Sequence, residues 1–118
     1  MGAKSQRKGR AAELELCRLL RGYGYGVEPG RALNYGKEPD LTGLPGVHIE
    51  CKRAEQLRLS EWLAQAEEDA RRFGDGLPAV FFRRSREPWA VIMRLEDWMK
   101  FYNQDIRTID KRRKTNEK

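Results

Sequence analysis

The chain has few of the residues that build covalent crosslinks or zinc sites. Its 118 residues include two cysteines and one histidine. Cys17 and Cys51 are far apart, and neither lies in a CxxC or Cys/His spacing, which excludes a zinc module and a disulfide framework. Lone cysteines of this kind are typical of buried apolar positions in a reducing compartment.

Long apolar segments are also missing. The sequence contains no apolar run of about 18 residues, and the charged start MGAKSQRKGR is not followed by an apolar stretch. We therefore expect neither membrane insertion nor secretion, and we expect a cytoplasmic protein.

Charge is abundant and unbalanced. Lysine and arginine number 24 against 18 acidic residues, giving a net charge of +6, and the excess is clustered in KSQRKGR, RRSR and KRRK. Such clusters favour a polyanionic partner, most simply a nucleic acid. A solvated basic surface explains the same composition equally well.

The length and the residue pattern predict a single α/β domain over residues 1–109. A basic tail over residues 110–118 is expected to be disordered, because it has too few apolar residues to pack against a core. The predicted element order is α-βββ-α-ββ-α, with a central mixed sheet flanked by helices. The first helix covers residues 10–22, and its apolar positions are Ala12, Leu16, Leu19 and Leu20.

The later elements follow from the same patterns. A short strand or turn in YGYGVEPGR leads to the hairpin DLTGLPGVHIECKR, and Ser60 is expected to cap a second helix that ends at Gly74. LPAVFFRR and PWAVIMRL predict two strands, and LEDWMKFYNQ predicts a last helix. Four aromatic residues of this region are expected in the core rather than as stacking platforms for bases: Trp89, Trp98, Phe101 and Tyr102.

The hairpin carries charge where a strand usually carries apolar residues. A three-residue loop at 44–46 would place Asp40 opposite Glu50, with Lys52 on the same face. Two adjacent carboxylates repel unless a divalent cation lies between them, and a nearby ammonium could contact a phosphate. This set suits phosphodiester hydrolysis. The alternative is a solvated hairpin face with a Glu/Lys pair, on which His48 is also simply solvated.

Glu13 lies in the middle of the apolar face of the first helix, whereas Glu15 is expected to point outward near Arg18. A carboxylate on an apolar face is costly unless it is paired. The sequence leaves two partners open for Glu13. One is a salt bridge to Arg10, and the other is the cation site beside Asp40 and Glu50.

These residues resemble a known signature. Pro39-Asp40, followed after nine residues by Glu50-Cys51-Lys52, is similar to the PD-(D/E)xK nuclease motif, and Lys8-Gly9 followed by Glu13 is similar to the first helix of archaeal-type Holliday junction resolvases. From Lys8 to about Leu95 the chain most resembles the small phage-encoded resolvase-like endonucleases. The three motifs occur in the expected order on the expected elements.

The resemblance implies a restriction-endonuclease-like fold, Mg²⁺ or Mn²⁺ as cofactor, and cleavage of DNA by a homodimer in a bacterial or phage-infected cell. It also implies roles for individual residues. Asp40, Glu50 and the Cys51 carbonyl would be metal ligands, Lys52 the catalytic lysine, and Glu13 a metal-linked acid. The basic hairpin FFRRSREPW departs from the archaeal pattern, which leaves the preference for junctions open.

Further candidates lie around this centre. Similar nucleases have a glutamine beside the active site on the second helix, which implies a catalytic position for Gln65; a polar residue flanking the apolar face is the alternative. Arg31 and Lys37 could hold phosphates next to the scissile bond. Arg83, Arg84 and Arg86 are expected to track the DNA backbone without choice of sequence.

The sequence therefore predicts a metal-dependent endodeoxyribonuclease directed to branched DNA, as in a Holliday junction resolvase. Two alternatives stay open. One is a general nicking nuclease, and the other is a nucleic-acid-binding module on the same fold that does not turn over.

Overall fold

A computed structural model describes residues 3–31 and 36–104, with residues 3–8 described as backbone only. Within these ranges the chain forms a five-stranded sheet with helices on both faces. A last helix, α3, covers residues 95–104. The other elements are α1 (Ala3–Gly22), β1 (Glu28–Pro29), β2 (Leu41–Thr42), β3 (Val47–Arg53), α2 (Leu59–Phe73), β4 (Leu77–Arg83) and β5 (Ala90–Ile92). The predicted α/β class and element order are confirmed.

The sheet has the strand order β1-β2-β3-β4-β5. Strands β1, β2 and β3 form an antiparallel meander, β4 pairs with β3 in parallel, and β5 returns antiparallel to β4. A parallel pair needs a crossover, and α2 supplies it. None of the described helices is long and apolar enough to cross a membrane.

Helix α1 covers one face of the sheet. It begins at Ala3, well before the predicted start at residue 10, and it ends at Gly22 as expected. Ala12, Leu16 and Cys17 are buried, and Leu16 and Cys17 pack against β2, β3 and β4. Leu19 is exposed, so its assignment to the apolar face was wrong.

Helix α2 covers the opposite face, where Trp62, Leu63 and Ala66 pack on Val80. Its start differs from the prediction, because the helix begins at Leu59 and Ser60 lies inside the first turn without a capping role. Arg58 is the N-cap residue and makes no side-chain cap hydrogen bond. The predicted end at Gly74 is confirmed by its left-handed backbone and its N–H bond to the Ala70 carbonyl.

Helix α2 covers the charged face of the hairpin and shields it from water. Val47, Ile49 and Cys51 pack with the α1-side core, as their alternation predicted. His48 and Glu50 point the other way, and they are only 1% and 4% exposed. The interpretation of this face as solvated was therefore wrong, because a helix that follows the hairpin in sequence shields it.

The aromatic residues near the end of the described chain divide between core and surface. Trp89 is half-buried against the α1-side core, and Phe101 is half-buried beside Gly46. Trp98 and Tyr102 are exposed and stack on each other with ring centroids 5.1 Å apart. The core prediction was wrong for these two, since one face of α3 has no described element over it. The predicted tail over residues 110–118 lies outside the described residues.

Gly76 holds β3 and β4 in register at their first residues. Its φ of 141° is disfavoured for side-chain-bearing residues, and an added Cβ would lie 2.6 Å from the Val47 nitrogen. We expect Gly76→Ala to lower the free energy of unfolding by about 2–4 kcal/mol through backbone strain and crowding. Urea unfolding would measure the loss.

Gly74 provides the matched control, because its φ is also positive at 62° but an added Cβ would meet open space. Gly74→Ala should cost only about 1 kcal/mol. Equal losses in the two variants would contradict the crowding at Gly76.

Candidate active site

The β2–β3 hairpin sets the geometry of the site. Leu41 pairs with Ile49, and the Val47 N–H donates to the Leu44 carbonyl across 3.2 Å, closing a short loop over residues 44–46. This is the predicted register. It places Asp40 opposite Glu50, at the point where β2 begins.

An open pocket forms over this face, between the hairpin and α2. We call it the acidic pocket. Its lining includes Asp40, His48, Glu50, Lys52, Gln65 and Asp69. The structure thus brings together four of the predicted site residues from three separate elements, and it adds two residues from outside that set.

The carboxylates of the site are crowded enough to change their acidity. Burial, together with the charge of Glu50, raises the pKa of Asp40 to about 6. Burial, together with the charge of Asp40, raises the pKa of Glu13 to about 7. Both carboxyls therefore ionise less readily than in water, chiefly because burial disfavours the charged form and also because another acid is close by.

Glu13 reaches this cluster from α1, on the opposite face of the sheet. Its Oε2 lies 3.5 Å from the Arg10 Nη1, and that nitrogen also donates to the Gly30 carbonyl at 2.5 Å. The salt bridge and the proximity to Asp40 therefore coexist. The sequence had presented them as alternatives.

Lys52 connects the hairpin to α2. Its Nζ lies 3.6 Å from Glu50 Oε2 and donates to Gln65 Oε1 across 2.9 Å. Gln65 is therefore in the pocket, and it holds the ammonium beside the carboxylates. A fixed cation next to two acids is an arrangement that can stabilise negative charge developing on a substrate.

His48 and Asp75 are a pair that sequence reasoning missed. The His48 Nδ1 lies 2.9 Å from the Asp75 carboxylate, and its Nε2 lies 3.4 Å from Glu50 Oε1. Burial alone would lower the pKa of His48, but the hydrogen bonds to Glu50 and Asp75 raise it above its usual value. Asp75 lies in the turn before β4, so no spacing rule linked it to His48.

Asp69 was also missed, although a signal for it existed. It lies four residues after Gln65 on α2, so both side chains point from the same helix face. Potential ligand atoms of His48, Glu50 and Asp69 all lie within 4.8 Å of one another. Burial and the adjacent Glu50 raise the pKa of Asp69.

The loop before Asp40 brings basic groups to the rim of the acidic pocket. The Arg31 Nε lies 3.4 Å from Glu38 Oε2, and its backbone N–H donates to the same carboxylate. Lys37 is exposed between Gly36 and Glu38, which line the pocket. The positions of Arg31 and Lys37 are compatible with contacts to phosphates beside the site.

The β4–β5 hairpin is compact. Arg83 is only 17% exposed at its side chain, and its Nε lies 2.8 Å from Glu15 Oε1, which also accepts from Trp89 Nε1 at 2.8 Å. Glu15 is 38% exposed at its side chain and pairs with Arg83 and Trp89, whereas the sequence had placed it near Arg18. The basic hairpin FFRRSREPW is present and closes in a tight turn, in which the Glu87 N–H donates to the Arg84 carbonyl. Arg84 and Arg86 are exposed there, whereas Arg83 is paired within the fold.

The donor set fits a hard divalent cation. Asp40 and Glu50 supply carboxylate oxygens on one face, and their mutual repulsion is the kind that a cation relieves. Cys51 packs its side chain with the α1-side core, where burial raises the thiol pKa. The resemblance to the PD-(D/E)xK motif implies that Asp40, Glu50 and the Cys51 carbonyl would hold the ion, whereas the potential ligand atoms that lie within 4.8 Å of one another belong to His48, Glu50 and Asp69.

A mixed sheet with a helix on each face, and with acids and a lysine on its central hairpin, defines the restriction-endonuclease-like nuclease fold. A solved structure has this fold as well: the Holliday junction resolvase Hjc of the archaeal hyperthermophile Archaeoglobus fulgidus. It matches with a TM-score of 0.55 at 24% identity, over 73% of this chain and 72% of that one.

The family itself is defined by sequence. Residues 4–118 match the family described as "Phage putative PDDEXK endonuclease", and the chain belongs to that family. Among curated proteins, nothing matches.

The crowded acids should make the metal-free protein less stable as pH rises. A folded-state pKa raised to about 6 for Asp40 means that the folded protein binds this proton more tightly than the unfolded chain. The stabilisation is complete below the usual pKa of about 4 and is lost as pH rises through 6. Asp40→Asn should therefore stabilise the protein in EDTA at pH 8 by about 1–3 kcal/mol, and much less at pH 4.5.

Urea unfolding at the two pH values would measure this difference. Glu61→Gln is the matched control, because Glu61 makes only an exposed contact with Arg58 at 3.7 Å. A gain in Asp40→Asn that does not depend on pH would contradict the raised pKa of Asp40 as its cause.

Proposed function

We propose that the protein is a metal-dependent endodeoxyribonuclease that hydrolyses DNA phosphodiester bonds and prefers branched DNA. The observation that carries this proposal is the convergence of Asp40, Glu50 and Lys52 on one pocket, with the Lys52 Nζ 3.6 Å from Glu50. Membership of an endonuclease family supports the same chemistry.

The acids and the lysine have different tasks in this proposal. Asp40, Glu50 and the Cys51 carbonyl hold Mg²⁺ or Mn²⁺. When bound, such an ion supplies Lewis acidity and makes a water molecule more acidic. Glu13 adds a carboxyl group beside Asp40, and burial together with the charge of Asp40 raises the pKa of Glu13 to about 7.

Lys52 stabilises the scissile phosphate. Its ammonium lines the pocket and donates a hydrogen bond to Gln65 Oε1 at 2.9 Å, which restrains its position. A positioned cation is most useful where negative charge grows, on the non-bridging oxygens of the phosphorus. Gln65 acts by fixing that ammonium.

DNA affinity comes from basic groups outside the acidic pocket. Lys37 and Arg31 at the pocket rim, and Arg84 and Arg86 on the β4–β5 turn, contact phosphates. Arg83 contributes through its pair with Glu15, which anchors the turn. Such contacts are salt-sensitive and carry little sequence information.

The preference for branched DNA and the homodimer belong to the proposal as well. Support comes from the shared fold with a Holliday junction resolvase. Two copies would offer one acidic pocket to each of two strands. The catalytic domain spans residues 1–109, and the basic stretch 110–118 adds nonspecific affinity.

Two other functions fit part of the structure. A nicking nuclease would use the same pocket on linear duplex. A DNA-binding module without turnover would have no use for Asp40 and Glu13, whose raised pKa values reflect an unfavourable environment. The retained acids therefore favour catalysis.

Cleavage of a synthetic four-way junction and of a matched linear duplex tests the proposal. In Mg²⁺ or Mn²⁺ the wild type should cut the junction in preference to the duplex, and EDTA should stop it. Asp40→Ala and Glu50→Gln should abolish cutting, and Lys52→Ala should slow it about 10²–10³-fold, with DNA affinity retained in each.

Glu67→Gln is the control for cleavage, since Glu67 pairs with Arg94 at 3.0 Å away from the pocket. Cutting both substrates equally would keep the nuclease and remove the preference for junctions. Junction binding in EDTA without any cutting in metal would support the binding module instead.

The two arginines beside each other at the β4–β5 turn should differ in their effect on DNA binding. Arg84 is exposed, so Arg84→Ala should weaken binding and reduce the slope of log affinity against log salt by about 0.9, as expected for one lost phosphate contact. Arg83→Ala should leave the slope unchanged and lower stability, because it breaks the Glu15 pair. Fluorescence anisotropy over a salt series would measure both, and an equal loss of slope would contradict the assignment.

A further inference from the structure

His48 is a buried imidazole between two carboxylates. Its side chain is 1% exposed, with Asp75 at 2.9 Å on one side and Glu50 at 3.4 Å on the other. It also stacks on Phe73, with ring centroids 6.2 Å apart and planes 20° apart. The ring is therefore fixed in position and in orientation.

The partners of His48 determine how it bonds. A carboxylate accepts hydrogen bonds and does not donate them. Asp75 faces Nδ1 and Glu50 faces Nε2, so each ring nitrogen has a carboxyl group within hydrogen-bonding distance. Asp75 lies in the turn that joins α2 to β4, so this chain of contacts links the hairpin to the crossover.

The two oxygens of Glu50 have different neighbours. Oε1 lies 3.4 Å from His48 Nε2, and Oε2 lies 3.6 Å from Lys52 Nζ. These two contacts, together with a hydrogen bond between Glu50 and Asp69, restrain the carboxyl group. His48 engages the oxygen turned toward the interior, and the other oxygen stays on the side of the catalytic lysine.

We propose that Asp75 and His48 form a positioning pair that fixes the Glu50 carboxylate for divalent cation binding. The proposal rests on the proposed function of Glu50 as a metal ligand. In this proposal His48 acts through its Nε2, which lies 3.4 Å from Glu50 Oε1, while Asp75 holds its Nδ1 at 2.9 Å. Partners of this kind commonly set the affinity of a metal site.

A competing explanation predicts the opposite change in cation affinity. If His48 served only as a counter-charge for buried acids, its removal would leave the pocket more negative, and a divalent cation would bind more tightly. If it orients Glu50, its removal frees the carboxylate to rotate, and the cation binds more weakly. The sign of the change therefore separates the two roles.

Two amide substitutions each keep one of the two carboxyl contacts of His48 and remove the other. His48→Asn places an amide near the position of Nδ1, so it can keep the Asp75 bond while losing Glu50. His48→Gln can place its amide near Nε2 and keep the Glu50 bond. Titration calorimetry with Mn²⁺ in the absence of DNA would measure the dissociation constant of each full-length variant.

We expect His48→Asn to weaken Mn²⁺ binding about 10–100-fold, as found for other residues that orient a metal ligand. His48→Gln should recover part of that loss. Asp75→Asn should weaken binding in the same direction but less than His48→Asn, and Glu67→Gln should match the wild type. The same order is expected for cleavage at saturating DNA.

Glu50→Gln separates failure of this inference from failure of the proposed function. If Glu50→Gln loses Mn²⁺ binding while His48→Asn binds as well as the wild type or more tightly, the positioning pair is overturned and the metal site stands. Equal weakening in the Asn and Gln variants would also overturn it, since a general packing defect does not distinguish the two amides. Unchanged binding in Glu50→Gln would overturn the metal site itself.

Discussion

The β2–β3 register is the constraint on which the rest of the site depends. Pairing of Leu41 with Ile49 places two carboxylates opposite each other on a face that α2 then shields from water. The hairpin register fixes the backbone positions of both acids. Burial, together with the charge of Glu50, raises the pKa of Asp40 to about 6 in the folded state.

Side chains from the surrounding elements contact these acids or their partners. Helix α2 directs Gln65 to Lys52, and the turn after it directs Asp75 to His48. Helix α1 approaches from the other face with Glu13, which Arg10 partly neutralises. The acids are thus balanced by a lysine, a histidine and an arginine, each held by a further contact. This arrangement holds the side chains of the pocket in place. The acids still outnumber the bases, and a cation can balance the remaining negative charge.

Much of the fold and part of the site could be predicted from local sequence. The hairpin register follows from the loop at residues 44–46, and the alternation in β3 follows from the strand period. The wrong predictions concern side chains whose exposure or direction is set by packing between segments that are distant in sequence. Leu19, Trp98 and Tyr102 are apolar residues on helix faces that no described element covers. Glu15 pairs with Arg83 and Trp89, which follow it by more than sixty residues.

The sequence by itself determined the order of elements and the pairing of Asp40 with Glu50, with Lys52 beside them, because strand and turn geometry act over a few residues. Only the tertiary structure decided that this face is buried, that Asp69 and His48 lie beside Glu50, and that Asp75 holds the histidine. The physical reason is that the parallel β3–β4 pair requires a crossover. That crossover lays α2 over the acids and brings Asp75, 27 residues further along the chain, against His48.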